Sequence, residues 1–504
     1  MNDASRYYLS YDRSEVGKCL LCADPLCSKA CPQETDVGGI IRSLYFRNFY
    51  GASRKQTCDC TYCNAPCEKA CVLSEKKVPV AIRKLCLSVN EDKKRLPDIK
   101  LDDVDISADI CGVRLENPFL LSSSVVASSY DMCKRAFEAG WAGAAFKTIC
   151  NFPQHETSPR FSAIRTQPNA FYGFKNIEQL SDHSVEENME IFRRLKQEFP
   201  QKVIIASIMG RNENEWTELA AKCEKAGASV IECNFSCPNM ESDDLGVTIG
   251  QSEELIERFT RAVKRGTDLP VLAKLTPNIT DMVPMALAAK RGGADGIAAI
   301  NTIKSIVRVN PHTYISAPAV HGKSAVGGYS GNAVKPIALR FIAELGQNPN
   351  LEGMHLSAMG GVETWLDALE FILLGGGSIQ VTTAVMQYGY RIIDDLKAGL
   401  NLFLAEKGLG NVKEAIGLGL DSLSHTTDVL ERDTVLFPRF KRERCIGCGR
   451  CEISCADGGH QAIHLDADRR PILNGKKCVG CHLCMLVCPQ QAIVPSRKRI
   501  LKKY

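Results

Sequence analysis

Residues 230–240 read VIECNFSCPNM. The stretch opens as a β-type run and gives way to Asn234, Ser236 and Cys237, a polar cluster where a strand would hand over to a loop. Cys237 is one of 24 cysteines, and at this point it reads as a metal ligand, a buried core residue or a group that does chemistry. Seven comparable runs accompany it: FLLSS at 119–123, GAAFKT at 143–148, VIIASI at 203–208, VLAKLT at 271–276, GIAAINT at 296–302, MHLSAMGG at 354–361 and SIQVTTA at 378–384. Stretches with helical apolar spacing lie between them, such as SYDMCKRAFEAGW and EENMEIFRRLKQEF. Eight alternating units over residues 106–405 predict an α/β fold, a (β/α)8 TIM barrel. A doubly wound sheet is the alternative, because counting repeats does not establish closure.

Polar residues collect where the runs end: Ser123, Lys147 with Thr148, Asn234 with Ser236, Lys274, Asn301 with Thr302, Met359 with Gly360 and Gly361, and Thr382 with Thr383. In a barrel those ends form the rim that carries the active site. The glycines and hydroxyls of MGG and TTA, with GGYSG at 327–331 ending on Gly331, suit a phosphate bound by backbone N–H groups. Lys147 and Lys274 point inward by strand alternation, where a cation would stabilise an anionic reduced isoalloxazine; FMN fits both features. The structural alternative is a pair of core lysines neutralised by Glu232, inward on the neighbouring strand. Gly408-Leu-Gly410 follows a helical stretch and not a strand, so no dinucleotide fingerprint is present. Hydride from NAD(P)H must therefore enter through another protein.

At 504 residues and 45% hydrophobic content the chain is expected to hold two or three packed domains. A net charge of +4 is too small to imply nucleic acid, and the basic run RKRILKK at 497–503 reads as a solvated tail. The polar N-terminus lacks the apolar core of a signal peptide, and no run of about 18 apolar residues occurs. These features predict a cytoplasmic protein with no membrane partner. In a reducing compartment cysteines point to metal or catalysis.

Eight cysteines fall in the last 60 residues, ten in the first 86, and six between. The C-terminal set reads Cys445-IG-Cys448-GR-Cys451-EIS-Cys455 and Cys478-VG-Cys481-HL-Cys484-MLV-Cys488. That interleaved spacing predicts two [4Fe–4S] clusters in a ferredoxin-like domain over 436–495, Cys445, Cys448, Cys451 and Cys488 on one, and Cys478, Cys481, Cys484 and Cys455 on the other. Ala456 stands where proline is usual, which removes no ligand. The N-terminal set, Cys19, Cys22, Cys27 and Cys31 followed by Cys60, Cys63, Cys67 and Cys71, is a looser internal repeat that predicts two further clusters in a domain over 1–97. Cys58 and Cys86 are spare thiols nearby, either able to displace one of the eight. Four clusters on one chain mean electron conduction.

Together NFSCP at 234–238, AKLTPN at 273–278, AINT at 299–302, GGYSG, MGG, QVTT and the two-cluster tail closely resemble the catalytic subunits of bacterial NAD-dependent dihydropyrimidine dehydrogenases over residues 106–495. Segment 1–97 resembles the α-helical cluster domain of the long eukaryotic dihydropyrimidine dehydrogenases. The FAD and NADPH domains of the long enzymes are missing here, and Cys86 stands where that family has a glutamine ligand. The resemblance implies reduction of the C5=C6 bond of uracil or thymine, with Cys237 as proton donor and electrons arriving from a separate FAD/NAD(P)H-oxidising subunit in a homodimer or heterotetramer. A thiol, with an ordinary pKa near 8.5, is protonated at neutral pH and suits that role. The resemblance also places Asn176, Glu178, Asn234, Asn301 and Thr302 at pyrimidine-binding positions. Asparagine suits such a base, offering a donor and an acceptor without charge. The loop CPNMESDDLGVTIG at 237–250 reads as a lid. Two rivals stand beside this reading. One is a dihydroorotate dehydrogenase, for which Lys175 beside Asn176 would bind a carboxylate; the other is a non-catalytic iron-sulfur electron carrier.

Overall fold

The computed structural model describes residues 13–75, 78–94, 104–152, 155–167, 170–237 and 246–501. All eight runs supply a strand: β1 (Phe119–Leu121), β2 (Gly143–Ala145), β3 (Val203–Ile208), β4 (Val230–Asn234), β5 (Val271–Lys274), β6 (Gly296–Ala299), β7 (His355–Met359) and β8 (Ser378–Val381). They pair in parallel and in chain order, and β8 returns to β1 through Ile379↔Phe119 and Val381↔Leu121. Closure excludes the doubly wound sheet.

The alternation within each run decides which side chains enter the barrel. Ile231 and Cys233 of β4 face the core shared with the surrounding helices, whereas Val230, Ile205 and Leu272 pack in the interior. A short antiparallel hairpin, Ala108–Ile110 with Val113–Leu115, packs against that interior cluster through Ile110 and Leu115. The helices begin where side chains satisfy their free N–H groups: Ser184 with Glu187, and Thr364 with Asp367, form reciprocal capping boxes.

A second sheet, unforeseen in the sequence, has strands ordered Ile303–Ser305, Gly327–Ser330, Ala170–Asn176 and Phe161–Gln167, all antiparallel. It is spliced into the connections after β2 and β6. Most of GGYSG is therefore a strand and not a permissive loop. A Cβ on Gly327 would meet Asn176 O at 2.4 Å, and one on Gly328 would meet Thr302 Oγ1 at 2.2 Å. Those glycines are small so that neighbours can approach; only Gly331 has positive φ, +88°.

The N-terminal domain is helical, with principal helices Val37–Tyr45, Phe49–Lys55 and Ile82–Lys93, and it belongs to the same compact unit as the barrel, residues 1–423. Phe46 enters the barrel's hydrophobic cluster and meets Tyr388 edge-on at 5.1 Å. Asp395, 1% exposed on helix Ile393–Lys407, accepts Ser43 Oγ–H at 2.7 Å, Asn48 Nδ2–H at 2.8 Å and Arg42 Nε–H at 3.2 Å. Trp365 Nε1 donates to Arg47 O at 2.9 Å.

Residues 424–504 form a second unit. It carries helices Arg450–Gly458 and Leu483–Leu486, ribbons Pro438–Phe440 with Ile493–Pro495 and Ile463–Leu465 with Pro471–Leu473, and a core of Cys451, Ile463, Cys484 and Ile493. Among the described residues no helix is long and apolar enough to cross a membrane.

Asp395→Ala leaves the buried Ser43 and Asn48 donors facing an empty site and leaves the partly exposed Arg42 with Asp394 alone, and is expected to cost about 2–4 kcal/mol. Urea unfolding should show that loss, and limited proteolysis should cut the N-terminal helices first. Asp395→Asn should recover part of both.

Candidate active site

One cavity of about 1110 Å³, counted to its open mouth, lies at the C-terminal ends of the strands. Every barrel residue singled out from the sequence as a catalytic, substrate or cofactor position lines it, from Ser123 and Lys147 to Thr382 and Thr383. On one wall the polar side chains orient each other. Asn234 Nδ2 donates to Thr148 Oγ1 at 2.8 Å, and Thr148 also contacts Ser123 Oγ at 3.2 Å and Ser207 Oγ at 3.0 Å. Asn301 Oδ1 accepts the Thr302 N–H at 2.7 Å, so its amide nitrogen must face Ser236 Oγ, at 2.8 Å. Cys237 follows directly, 6% exposed and on the cavity wall. Residues 238–245 of the proposed lid lie outside the described residues.

Each cavity lysine is matched by carboxylate, though not as a shared pair around Glu232. Lys274 Nζ lies 3.2 Å from Glu232 Oε1, with the two side chains 3% and 0% exposed. Lys147 Nζ instead lies 2.7 Å from Glu156 Oε1 and 3.7 Å from Glu178 Oε1, and Arg160 Nε reaches Glu178 at 3.1 Å. Burial raises the Glu178 carboxyl pKa, and Lys147 opposes that rise. Glu156 was missed because it lies in no periodic run; its place is set by the connection to the second sheet, where it also accepts the Gln179 N–H at 3.1 Å. Lys175 is fully buried and off the cavity wall, its ammonium donating to Ala325 O at 2.7 Å and Ala317 O at 3.1 Å. Strand alternation puts Asn176 on the cavity side and Lys175 on the other.

At the far end Gly360 and Gly361 have φ of +128° and +81°. A Cβ on Gly361 would lie 2.8 Å from Gly331 O, so the three glycines bring backbone together in a way no larger residue permits. Ser330 Oγ and Thr383 Oγ1 are 2.9 Å apart beside them. Lys335, next to this cradle, is held by Asp367 at 2.6 Å and Glu370 at 2.8 Å. Burial, then Asp367, pushes the Glu363 carboxyl up to about 8. Gln380 lines the cavity with its Oε1 buried and unpartnered among the described residues. A glycine cradle at one end, two lysines at the other and an amide oxygen awaiting a donor fit FMN.

The N-terminal thiols divide unevenly. Cys19, Cys22 and Cys27 share a cavity with Cys71, not with Cys31. Cys31, Cys60, Cys63 and Cys67 line another, of about 400 Å³, together with the two spare thiols Cys58 and Cys86. The fourth cysteine of each half has thus crossed to the other, which linear spacing does not reveal. Cys58 Sγ is 3.3 Å from Cys60 Sγ. In the C-terminal unit Cys445, Cys448, Cys451 and Cys488 surround a cavity of about 420 Å³. Burial pushes the Cys484 thiol up to about 11, and the nearby thiols of Cys451, Cys481, Cys478 and Cys455 add to that rise. Among the described residues no group of three such side chains converges on a single-ion site.

Comparison with known proteins agrees with this geometry. Residues 105–404 match the dihydroorotate dehydrogenase family, 439–494 a 4Fe-4S dicluster domain, and 3–95 the family described as dihydropyrimidine dehydrogenase domain II, 4Fe-4S cluster. The chain belongs to the dihydroorotate dehydrogenase family: it is a flavin- and iron-sulfur-dependent oxidoreductase, with FMN in the barrel and [4Fe–4S] clusters in the cysteine-rich domains. Within that family it is 53% identical over 366 residues to the NAD-dependent dihydropyrimidine dehydrogenase subunit PreA of Escherichia coli, an alignment covering 73% of this chain and 89% of the relative. It is 36% identical to the chloroplastic dihydropyrimidine dehydrogenase (NADP(+)) of Arabidopsis thaliana, over 68% of this chain and 83% of that one. It is also 36% identical to the catalytic subunit of dihydroorotate dehydrogenase B (NAD(+)) of Pyrococcus abyssi, over 62% and 99%. The crystal structure of DHODH from Eimeria tenella in complex with ferulenol superposes with a TM-score of 0.53 at 21% identity, covering 65% of this chain and 92% of that one, which speaks to fold alone.

Because the folded-state pKa of Glu363 lies above its unfolded value, the proton it holds stabilises the fold at low pH, and that contribution is lost as pH rises from about 4.3 through about 8. Glu363→Gln should flatten stability between pH 5 and 8 and leave the variant more stable than wild type at pH 8.5, by about 1–3 kcal/mol. Thermal unfolding across that range checks it.

Proposed function

We propose that this chain reduces the C5=C6 bond of a neutral pyrimidine base, uracil or thymine, to the 5,6-dihydro form. The observation that carries the reading is charge: every cation identified at the cavity is already matched by carboxylate, so a neutral heterocycle enters without leaving an unpaired charge. An orotate carboxylate would meet Glu178 on the cavity wall and a Lys147 already paired with Glu156, and Lys175, the residue that favoured such a substrate, is turned away and tied to Ala317 and Ala325. The names of the dihydropyrimidine dehydrogenase relatives add support.

In this reading FMN, when bound, supplies hydride to one carbon of the double bond. The protein's part is positioning and proton delivery. The carboxamides of Asn176, Asn234 and Asn301, with the Thr302 hydroxyl, hold the carbonyls and N–H groups of the base, and Glu178 closes the same side. Cys237, on the wall past β4, gives its thiol proton to the other carbon, and the thiolate is reprotonated from solvent between turnovers. Backbone and hydroxyls around Gly331, Gly360, Gly361, Thr382 and Thr383 hold the phosphate. Lys147 and Lys274 face the ring system.

Electrons enter from a separate FAD- and NAD(P)H-bearing subunit through the N-terminal clusters, in a cytoplasmic homodimer or heterotetramer. Cys19, Cys22, Cys27 and Cys71 hold one N-terminal cluster; Cys31 joins the second half at the other.

Cys237→Ala should keep FMN and iron but lose about 10²-fold or more in dithionite-driven uracil reduction. Near-wild-type turnover would remove the thiol from the mechanism. The N-terminal helices cover barrel core residues, so the entry role is tested by substitution and not by truncation. Cys27→Ser and Cys71→Ser should each abolish the same cluster's electron paramagnetic resonance signal, the double variant should lose no more iron than either single one, and partner-driven turnover should fall while dithionite-driven turnover persists. Signals lost from two different clusters would contradict the grouping.

A further inference from the structure

The barrel interior holds a polar chain that the proposed reaction leaves unused. Glu232 is fully buried and offers one oxygen to Lys274, at 3.2 Å. Its other oxygen accepts the Gln380 Nε2–H at 3.2 Å, and the same amide nitrogen donates to Ser357 Oγ at 3.0 Å. The Glu232 carboxylate can only accept, so the amide nitrogen, not its oxygen, must face it. Ser378 Oγ donates to Ser357 Oγ at 2.9 Å and contacts His355 Nε2 at 2.9 Å. Burial pushes the His355 imidazole down to about 4, and because Ser378 gives its one proton to Ser357, the Nε2 facing it carries the ring's hydrogen and donates. Donor directions therefore run from His355 through Ser378 to Ser357, and from Gln380 to both Ser357 and Glu232.

This chain fixes the position of the Glu232 carboxylate. Four side chains on β7 and β8 are linked behind one carboxylate that faces one lysine, and both Lys274 and Gln380 line the cavity. A lysine meant only to fill space would not need this, since a buried ion pair is rarely more stable than apolar packing of the same volume. A lysine that must present a set amount of positive charge to a bound group does need it.

We infer that Glu232 is a positioning residue for the flavin: by offsetting the Lys274 ammonium it keeps FMN from being over-stabilised in its reduced, negatively charged form. The inference rests on the flavin reading above and deepens it. With Glu232 present, the Lys274 charge is shared between a carboxylate and the ring. Without it, the same ammonium acts on the ring alone in a low-dielectric interior, where such interactions are strong. Reduced FMN then binds more tightly relative to oxidised FMN and becomes a poorer hydride donor. Second-sphere carboxylates act in this way on metal ligands, setting the electronic character of the group they hold.

The test is the FMN midpoint potential of the full chain, measured by dye equilibration, in wild type, Glu232→Gln, Lys274→Gln and the double variant. Glu232→Gln should favour reduced over oxidised FMN tenfold or more, an upward shift of about 30 mV or more for a two-electron couple. Lys274→Gln should shift it downward. The double variant should match Lys274→Gln within a factor of two, because Glu232 acts only through that lysine, and Glu232→Asp should restore most of the wild-type value. An unchanged or lowered potential in Glu232→Gln overturns the inference, as does a double variant that differs from Lys274→Gln. If Glu232→Gln fails to retain FMN, Lys274→Gln and the double variant decide alone, since neither leaves an unpaired lysine inside the barrel. A wild-type chain that binds no FMN would overturn the flavin reading itself, whereas FMN bound with an unmoved potential overturns only the role of Glu232.

Discussion

A lysine inside a closed barrel has to be answered by a carboxylate, and the rest of this site is arranged around that requirement. The Lys274 side chain is 3% exposed, so an unpaired ammonium there would cost several kcal/mol. Glu232 answers Lys274 from the neighbouring strand. Lys147 lies at the rim, beyond the end of its strand, and is answered by residues that the barrel alone does not supply. Glu156 and Glu178 come from the excursion after β2, which is why the second sheet is integral to the site. With its charges settled by the protein, the cavity is left to select among ligands by hydrogen bonding and shape, which is the ground of the proposed neutral substrate.

The eight-strand order was legible because each strand is short, apolar and separated by a helix of the right length. Strand alternation pointed Lys147 and Lys274 inward and the ends of the runs singled out Asn234, and all three line the cavity. What could not be read were features set by contacts between distant segments. The second sheet draws its strands from two separate excursions, with glycines and mixed polar residues in place of a clean alternating pattern. Glu156 has no local signature at all. The exchange of Cys31 and Cys71 between N-terminal halves is likewise a matter of how two similar loops fold against each other, and equal spacing describes both the exchanged and the unexchanged arrangement. Lys175 misled for a related reason: its neighbour Asn176 faces the cavity, and in a strand that puts Lys175 on the opposite face.

The N-terminal domain is joined to the barrel through Asp395, Phe46 and Trp365, contacts that bury a carboxylate and two aromatic rings. This attachment gives the cysteine-rich loops a fixed base. Arg391, on the barrel side, donates to the carbonyls of Leu21 and Cys22 within the first cysteine loop. Iron-sulfur chemistry and flavin chemistry are thus carried on one compact unit, an arrangement suited to electrons that arrive at one site and are used at another.

The charge-matched cavity is the central claim, and ligand binding by the oxidised, FMN-loaded chain tests it most directly. Uracil and orotate titrations, followed by flavin absorbance at pH 7, should show uracil binding at least about 10²-fold more tightly, since a carboxylate buried in a cavity lined by Glu178 gains no free cation to pair with. Orotate binding as tightly as uracil, with affinity falling as salt is added, would show that an unpaired cation faces the substrate and would contradict the account.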